Sequence, residues 1–148
     1  MISIKFERGQ VFPLELIERA ARAILDFCGA PDADLTLVLT DDSKLRRLNR
    51  DYLDHDYPTD VLAFPAGEED PETGHRYLGD VIISLPRAAV QAAERGHVVE
   101  AEVQLLTIHG ILHLLGHDHA EKGEKERMWT AQTEALKTLG ISSKIIHE

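Results

Sequence analysis

Val103-Gln104-Leu105-Leu106-Thr107-Ile108-His109-Gly110-Ile111-Leu112-His113-Leu114-Leu115-Gly116 is apolar on nearly every side. That is the pattern of a helix buried on most of its surface, so the rest of the chain must supply the layers that cover it. The helix is expected from about Val99 to Leu115. Before it, Pro86 opens another helix that runs to about Arg95, and a last helix spans about Glu121 to Leu139. Nearer the start, Ile2 to Glu7 alternates apolar and polar residues as a half-buried strand does. Pro13 then leads into Leu14, Ile17, Ala21, Ile24 and Leu25, an amphipathic helix that ends at Gly29. Leu35 to Thr40 is rich in β-formers, and Asp41-Asp42-Ser43 reads as a turn and helix cap. In the helix that follows, Leu45, Leu48 and Tyr52 share one side and Arg46, Arg47 and Arg50 the other. Pro58 to Pro65 and Leu78 to Ser84 read as further strands. Between them Gly67 to Gly74 is polar and turn-rich, as an exposed loop would be. Strands mixed with helices, joined by some long connections, predict an α+β (or α/β) layered fold with one mixed sheet.

The chain has 148 residues, one domain's worth, so residues 1–148 are read as a single domain. Its 43% hydrophobic content supplies a core, and the net charge of −10 repels polyanions and anionic membrane surfaces. A nucleic-acid partner must therefore be held by a local site. The lone Cys28 has no internal disulfide partner, which fits a reducing compartment and makes the cytoplasm the expected location. Acid and base occupy the N-terminal stretch where a signal peptide would be apolar, and no run of about 18 apolar residues occurs, so neither export nor a membrane span is expected.

Four of the eight histidines fall between His109 and His119. Within a buried helix an imidazole is costly unless it has a partner. His109 and His113 are four residues apart, so they differ by about 40° in azimuth and about 6 Å in height. Both rings then face one point, as in helical zinc sites. Gly116 can end the helix in a left-handed conformation and let the chain return His119 to that point. Three imidazoles leave a zinc ion one open position, as in catalytic rather than structural sites. Water bound there has a pKa that can fall to about 7. One Zn²⁺ per chain is the expected cofactor, with nickel or another divalent first-row ion compatible with the same ligands. Asp118 is a candidate to accept a ring N–H or to serve as a fourth ligand. His117 points away from the pair and reads as a helix-end charge; His55, His75, His97 and His147 read as surface residues. The same histidine spacing occurs in metzincin proteases, where a Glu follows the first His as general base. Here that position is Gly110, which puts peptide hydrolysis second. Met128, beside Trp129 in a helical pattern, reads as a core filler.

Several stretches together resemble one known family, the YbeY-type rRNA maturation factors, which are bacterial single-strand-specific metallo-endoribonucleases. They are Leu48-Asn49 with Tyr52, Pro58-Thr59-Asp60-Val61-Leu62-Ala63-Phe64-Pro65, Leu78-Gly79-Asp80-Val81-Ile82-Ile83-Ser84, the His109 to His119 motif, and Met128 with Gln132. The resemblance implies a mixed sheet of about four strands packed with about five helices. It also implies a metal held by His109, His113 and His119, and action on ribosomal RNA, including the 16S rRNA 3′ end, and in ribosome quality control. Single-stranded RNA and the ribosome or its proteins are the implied partners, with no DNA. It places Thr59, Asp60 and Asp80 near the metal, although turn capping is an equally ordinary role for them. The family's usual arginine after the aromatic residue is Leu53 here, its common Ser is Ala63 and its common Tyr is His117. Arg46, Arg47 or Arg50 are the candidates to contact substrate phosphate in place of that arginine, or they form a solvated face. No residue is assigned a catalytic step. The competing reading is a non-enzymatic ribosome-assembly factor in which the metal is structural, followed by a metzincin-like peptidase without the usual Glu.

Overall fold

In the computed structural model, which describes residues 1–55, 59–117 and 122–146, the strands form one sheet with both faces covered. Strands β1 (Ile2–Phe6), β2 (Asp34–Thr40), β3 (Val61–Glu69) and β4 (Arg76–Ser84) lie in the order β1-β2-β4-β3. β1 and β4 each run parallel to β2, whereas β3 and β4 are antiparallel. The helices are α1 (Leu14–Phe27), α2 (Asp42–Leu53), α3 (Leu85–Arg95), α4 (Val99–Leu114) and α5 (Lys122–Thr138), with a short 3₁₀ turn at Ser143–Ile145. A mixed four-stranded sheet with five helices is the α+β arrangement expected. The strand order, which the sequence leaves open, is set by β4 inserting between β2 and β3.

Strand alternation sends successive side chains to opposite faces. On one face Leu35, Leu37 and Leu39 of β2 and Val81 and Ile83 of β4 pack with α1 and α4. On the other, Leu62 and Ile82, with Val38 and Phe64 beside them, meet Leu45 and Leu48 of α2. Asp41 caps α2 as expected: its carboxylate accepts the Lys44 N–H at 3.0 Å and the Arg8 Nε–H at 2.5 Å. The Arg8 guanidinium holds that carboxyl below the usual carboxylate range.

Twelve of the sixteen residues of α4 are buried, and it touches β3, β4, α1, α3 and α5, so it is the central helix. Its buried polar groups have partners, as burial demands. Gln104 Nε2 donates to the Leu16 carbonyl at 3.0 Å and Thr107 Oγ1 to the Val103 carbonyl at 2.9 Å. Glu102, fully buried, faces His97 Nε2 at 2.7 Å and Arg95 at 3.3 Å.

Three expectations need correction here. His97 is not a surface residue: its side chain is 12% exposed because it pairs with Glu102. The stretch from Gly67 is not all loop, since β3 continues to Glu69, with Glu68 opposite Tyr77 and Glu69 opposite Arg76 across a register shift. Cross-strand pairing overrides the polar composition there, and β4 correspondingly starts two residues before Leu78. Thr59 and Asp60 precede β3 rather than lie in it. Pro58, Glu121 and His147 lie outside the described residues.

The cap makes a pH-dependent contribution. Asp41→Ala is expected to lower stability by about 0.5–2 kcal/mol at neutral pH. A depressed carboxyl pKa stabilises the fold above the unfolded-state pKa and ceases to as pH falls through the folded value. Urea midpoints of the two proteins should therefore converge in acid; a gap that persists there would contradict the ionic role of the cap.

Candidate metal centre

The two helical histidines meet as their spacing predicts. His109 Nε2 and His113 Nε2 are 3.0 Å apart, with ring centroids 4.6 Å apart and planes at 68°. Both rings are half-buried, whereas every other residue of α4 from Ala101 to Leu114 is buried. Behind His109 stands Gln132 of α5, which is 4% exposed. Its Nε2 donates to the Met128 carbonyl at 3.2 Å, so its Oε1 is the atom that faces His109 Nδ1 at 3.3 Å. An amide oxygen can only accept, so this network places the ring proton on Nδ1 and leaves the Nε2 lone pair facing His113. Such outer contacts fix the orientation and tautomer of metal-binding imidazoles. Met128, 1% exposed, is a core residue as expected. Gln132 has a sequence signal in retrospect: it is a polar residue on the helix face that buries Ala131, Ala135 and Leu136.

The helix stops as the sequence predicts. Gly116 has φ +94°, its N–H bonds the His113 carbonyl at 3.0 Å, and the His117 N–H bonds the Leu112 carbonyl at 3.0 Å. This is the Schellman arrangement, which uses up orphan carbonyls and turns the chain. His119 and Asp118 lie outside the described residues. Among the described residues no group of three His, Cys, Asp or Glu side chains is placed to hold a metal. His117 lines a different cavity, with Cys28 and Arg127, and its Nδ1 is 3.7 Å from Glu124. His55 and His75 are exposed.

The histidine pair opens into a cleft of about 420 Å³ between α4, the end of α2 and β3. Leu53, Val61, Leu62, Ala63 and Pro65 give it an apolar wall, and Thr59 and Asp60 a polar end. Gln91 Nε2 donates to Asp60 Oδ2 at 3.1 Å, so the only carboxylate lining the cleft among the described residues is held in place. Asp80 is elsewhere. Opposite Phe64 in the sheet, it points toward the α2 face and accepts from the Tyr77 hydroxyl at 2.5 Å. No lysine or arginine lines the cleft among the described residues. Arg46, Arg47 and Arg50 are exposed and share a separate groove with Arg8 and Lys44, because α2 turns its apolar side to the sheet.

Gly110 lies between His109 and His113 in the chain and against the sheet. A Cβ there would sit 2.5 Å from Val81 Cγ1 and 3.3 Å from Val61 Cγ2. This fold therefore has no room for the glutamate that metzincins carry at that position, and the steric limit accounts for its absence. Overpacking of this kind costs about 1–3 kcal/mol, because Val81 is fully buried and stiff at χ1. Gly110→Ala should lose that much stability in urea unfolding and regain most of it when combined with Val81→Ala; no loss in the single variant would contradict the close approach.

A family model described as Endoribonuclease YbeY matches residues 3–140. A protein named Endoribonuclease YbeY from Chloroflexus aurantiacus is 41% identical over 147 residues, covering 95% of this chain and 96% of its own. One of the same name from Aquifex aeolicus is 48% identical over 111 residues, covering 75% and 73%. The solution structure of a Thermotoga maritima protein is similar with a TM-score of 0.62 and 26% identity, covering 95% of this chain and 92% of that one.

Proposed function

The chain belongs to the endoribonuclease family that this model describes, and from that membership we propose a single-strand-specific metallo-endoribonuclease acting on ribosomal RNA. Maturation of the 16S rRNA 3′ end and ribosome quality control, in the cytoplasm and in contact with the ribosome, are the roles that the resemblance implies. The observation that carries the reading is the convergence of His109 and His113 at the inner end of an open cleft.

The donor set fits a metal. Two nitrogens bound to one tetrahedral zinc at about 2.0–2.1 Å would lie about 3.3 Å apart, close to the 3.0 Å found between the two Nε2 atoms. His109 and His113 would hold one zinc ion, and His119 completes the set by its spacing; Asp118 is a candidate supporting acceptor. When bound, the ion would polarise a phosphodiester oxygen and lower the pKa of water.

The protein's own residues divide the remaining work. Gln132 holds the His109 ring in the tautomer that offers Nε2. Asp60, steadied by Gln91, offers the cleft a proton acceptor, and the Thr59 hydroxyl a donor. Leu53 extends the apolar wall at the place of the family's usual arginine, so phosphate neutralisation cannot come from that residue. The Arg46, Arg47 and Arg50 groove would instead hold flanking phosphates, since guanidinium pairs well with them.

The test is cleavage of a labelled single-stranded RNA by the zinc-loaded protein and by His113→Ala, with far-UV circular dichroism on both. Cleavage should fall by on the order of 10²–10³, as when one electrostatic stabiliser of a transition state is removed, and the fold should persist. Equal behaviour of the two proteins toward RNA would overturn the enzyme reading. Loss of the fold in the variant would point to a structural metal, because binding of such a metal is coupled to folding.

A further inference from the structure

The wall of the cleft is the free edge of the sheet. β3 is the terminal strand in the order β1-β2-β4-β3, and its register decides which backbone groups face outward. The Ser84 N–H bonds the Asp60 carbonyl at 3.0 Å, and Val61, Ala63 and Pro65 lie opposite Ile83, Val81 and Gly79. In an antiparallel ladder, hydrogen-bonded and non-hydrogen-bonded pairs alternate. Leu62 and Phe64 therefore exchange bonds with β4, and Val61, Ala63 and Pro65 are the non-bonded positions. The N–H and C=O groups of Val61 and Ala63 and the carbonyl of Pro65 point away from the sheet. Pro65 confirms the phase, because a proline is tolerated in a strand where its missing N–H would face outward. These residues line the same cleft as His109 and His113.

We propose that this edge reads the Watson–Crick edges of unpaired bases in the RNA, and that it is the device by which single strands are selected. The inference rests on the ribonuclease reading above. A residue at a non-bonded position presents one donor and one acceptor side by side. Each RNA base carries a neighbouring donor and acceptor on its Watson–Crick edge, so any base can pair with the strand while it is unpaired. In a duplex those same atoms are already used. Proteins recognise unpaired RNA through these base edges, and an unpaired strand edge is a ready template for such bonds. The charge distribution agrees: no lysine or arginine lines the cleft among the described residues, so the strand wall suits bases, while the phosphate to be cut faces the histidine end. The cations sit in the separate groove on α2.

The experiment compares kcat/KM on single-stranded RNA of uridine and on the same RNA made with N3-methyluridine, which blocks the base edge while every phosphate and 2′-hydroxyl stays in place. The wild-type protein should cut the methylated RNA about five- to a hundredfold more slowly, the range for a bidentate pair to a base edge. Ala63→Pro removes one outward N–H and no ladder bond. It should cut uridine RNA more slowly and discriminate less between the two RNAs. Equal rates on both RNAs with the wild-type protein would overturn the inference and leave the ribonuclease reading intact. Discrimination undiminished in a folded Ala63→Pro variant would place base reading elsewhere and also overturn it. Cleavage of neither RNA would overturn the ribonuclease reading and this inference with it.

Discussion

The packing of α4 against the sheet at Gly110 is the constraint on which the rest depends. With twelve residues of this helix buried, its position is set by close packing, and a shift of a few tenths of an ångström would be felt throughout the core. Rigid placement is what a metal site needs, because ligands on a packed helix are held more accurately than ligands on loops. His109 and His113 sit where the C-terminal half of α4 reaches solvent, and the N-terminal half is tied down by the Glu102, His97 and Arg95 group. A buried carboxylate is tolerable there because it is paired. The absence of a side chain at position 110 permits the close approach and at the same time removes the position that a protease would use for its base.

Much of this was legible in the sequence, and the reasons are physical. The all-round apolar pattern of α4 identifies a buried helix, and histidines four apart on it have one geometric consequence. The Gly116 stop follows from the left-handed conformation that glycine readily adopts. Asp41 was readable as a cap because its side chain acts locally. What escaped the sequence depends on partners distant in the chain or set by topology. His97 looks like any surface histidine until Glu102 is brought beneath it. The polar residues after Gly67 look like a loop until β4 pairs with them. Strand order is a property of the whole sheet. Asp80 is near the site only by analogy, and strand alternation sends it to the opposite face.

The acidic chain solves its electrostatic problem by separation. Its basic residues on α2, Lys44, Arg46, Arg47 and Arg50, gather with Arg8 in one groove, away from the cleft of His109 and His113, whose described lining holds Asp60 and no lysine or arginine. The apolar side of α2 must face Ile82 and Leu62, so the arginines are turned outward by the same packing that builds the second core. Leu53, at the end of that helix, contributes to the cleft wall instead of a charge. Under the proposed function, affinity for a polyanion and chemistry on it fall on different surfaces of the chain.

The central claim is that α4 aims its imidazoles at a single ion. X-ray absorption of the zinc-loaded protein tests it most directly. The account predicts imidazole nitrogens at about 2.0–2.1 Å, three in the parent and one fewer in His113→Ala. A first shell without imidazole, or one unchanged by that substitution, would contradict it.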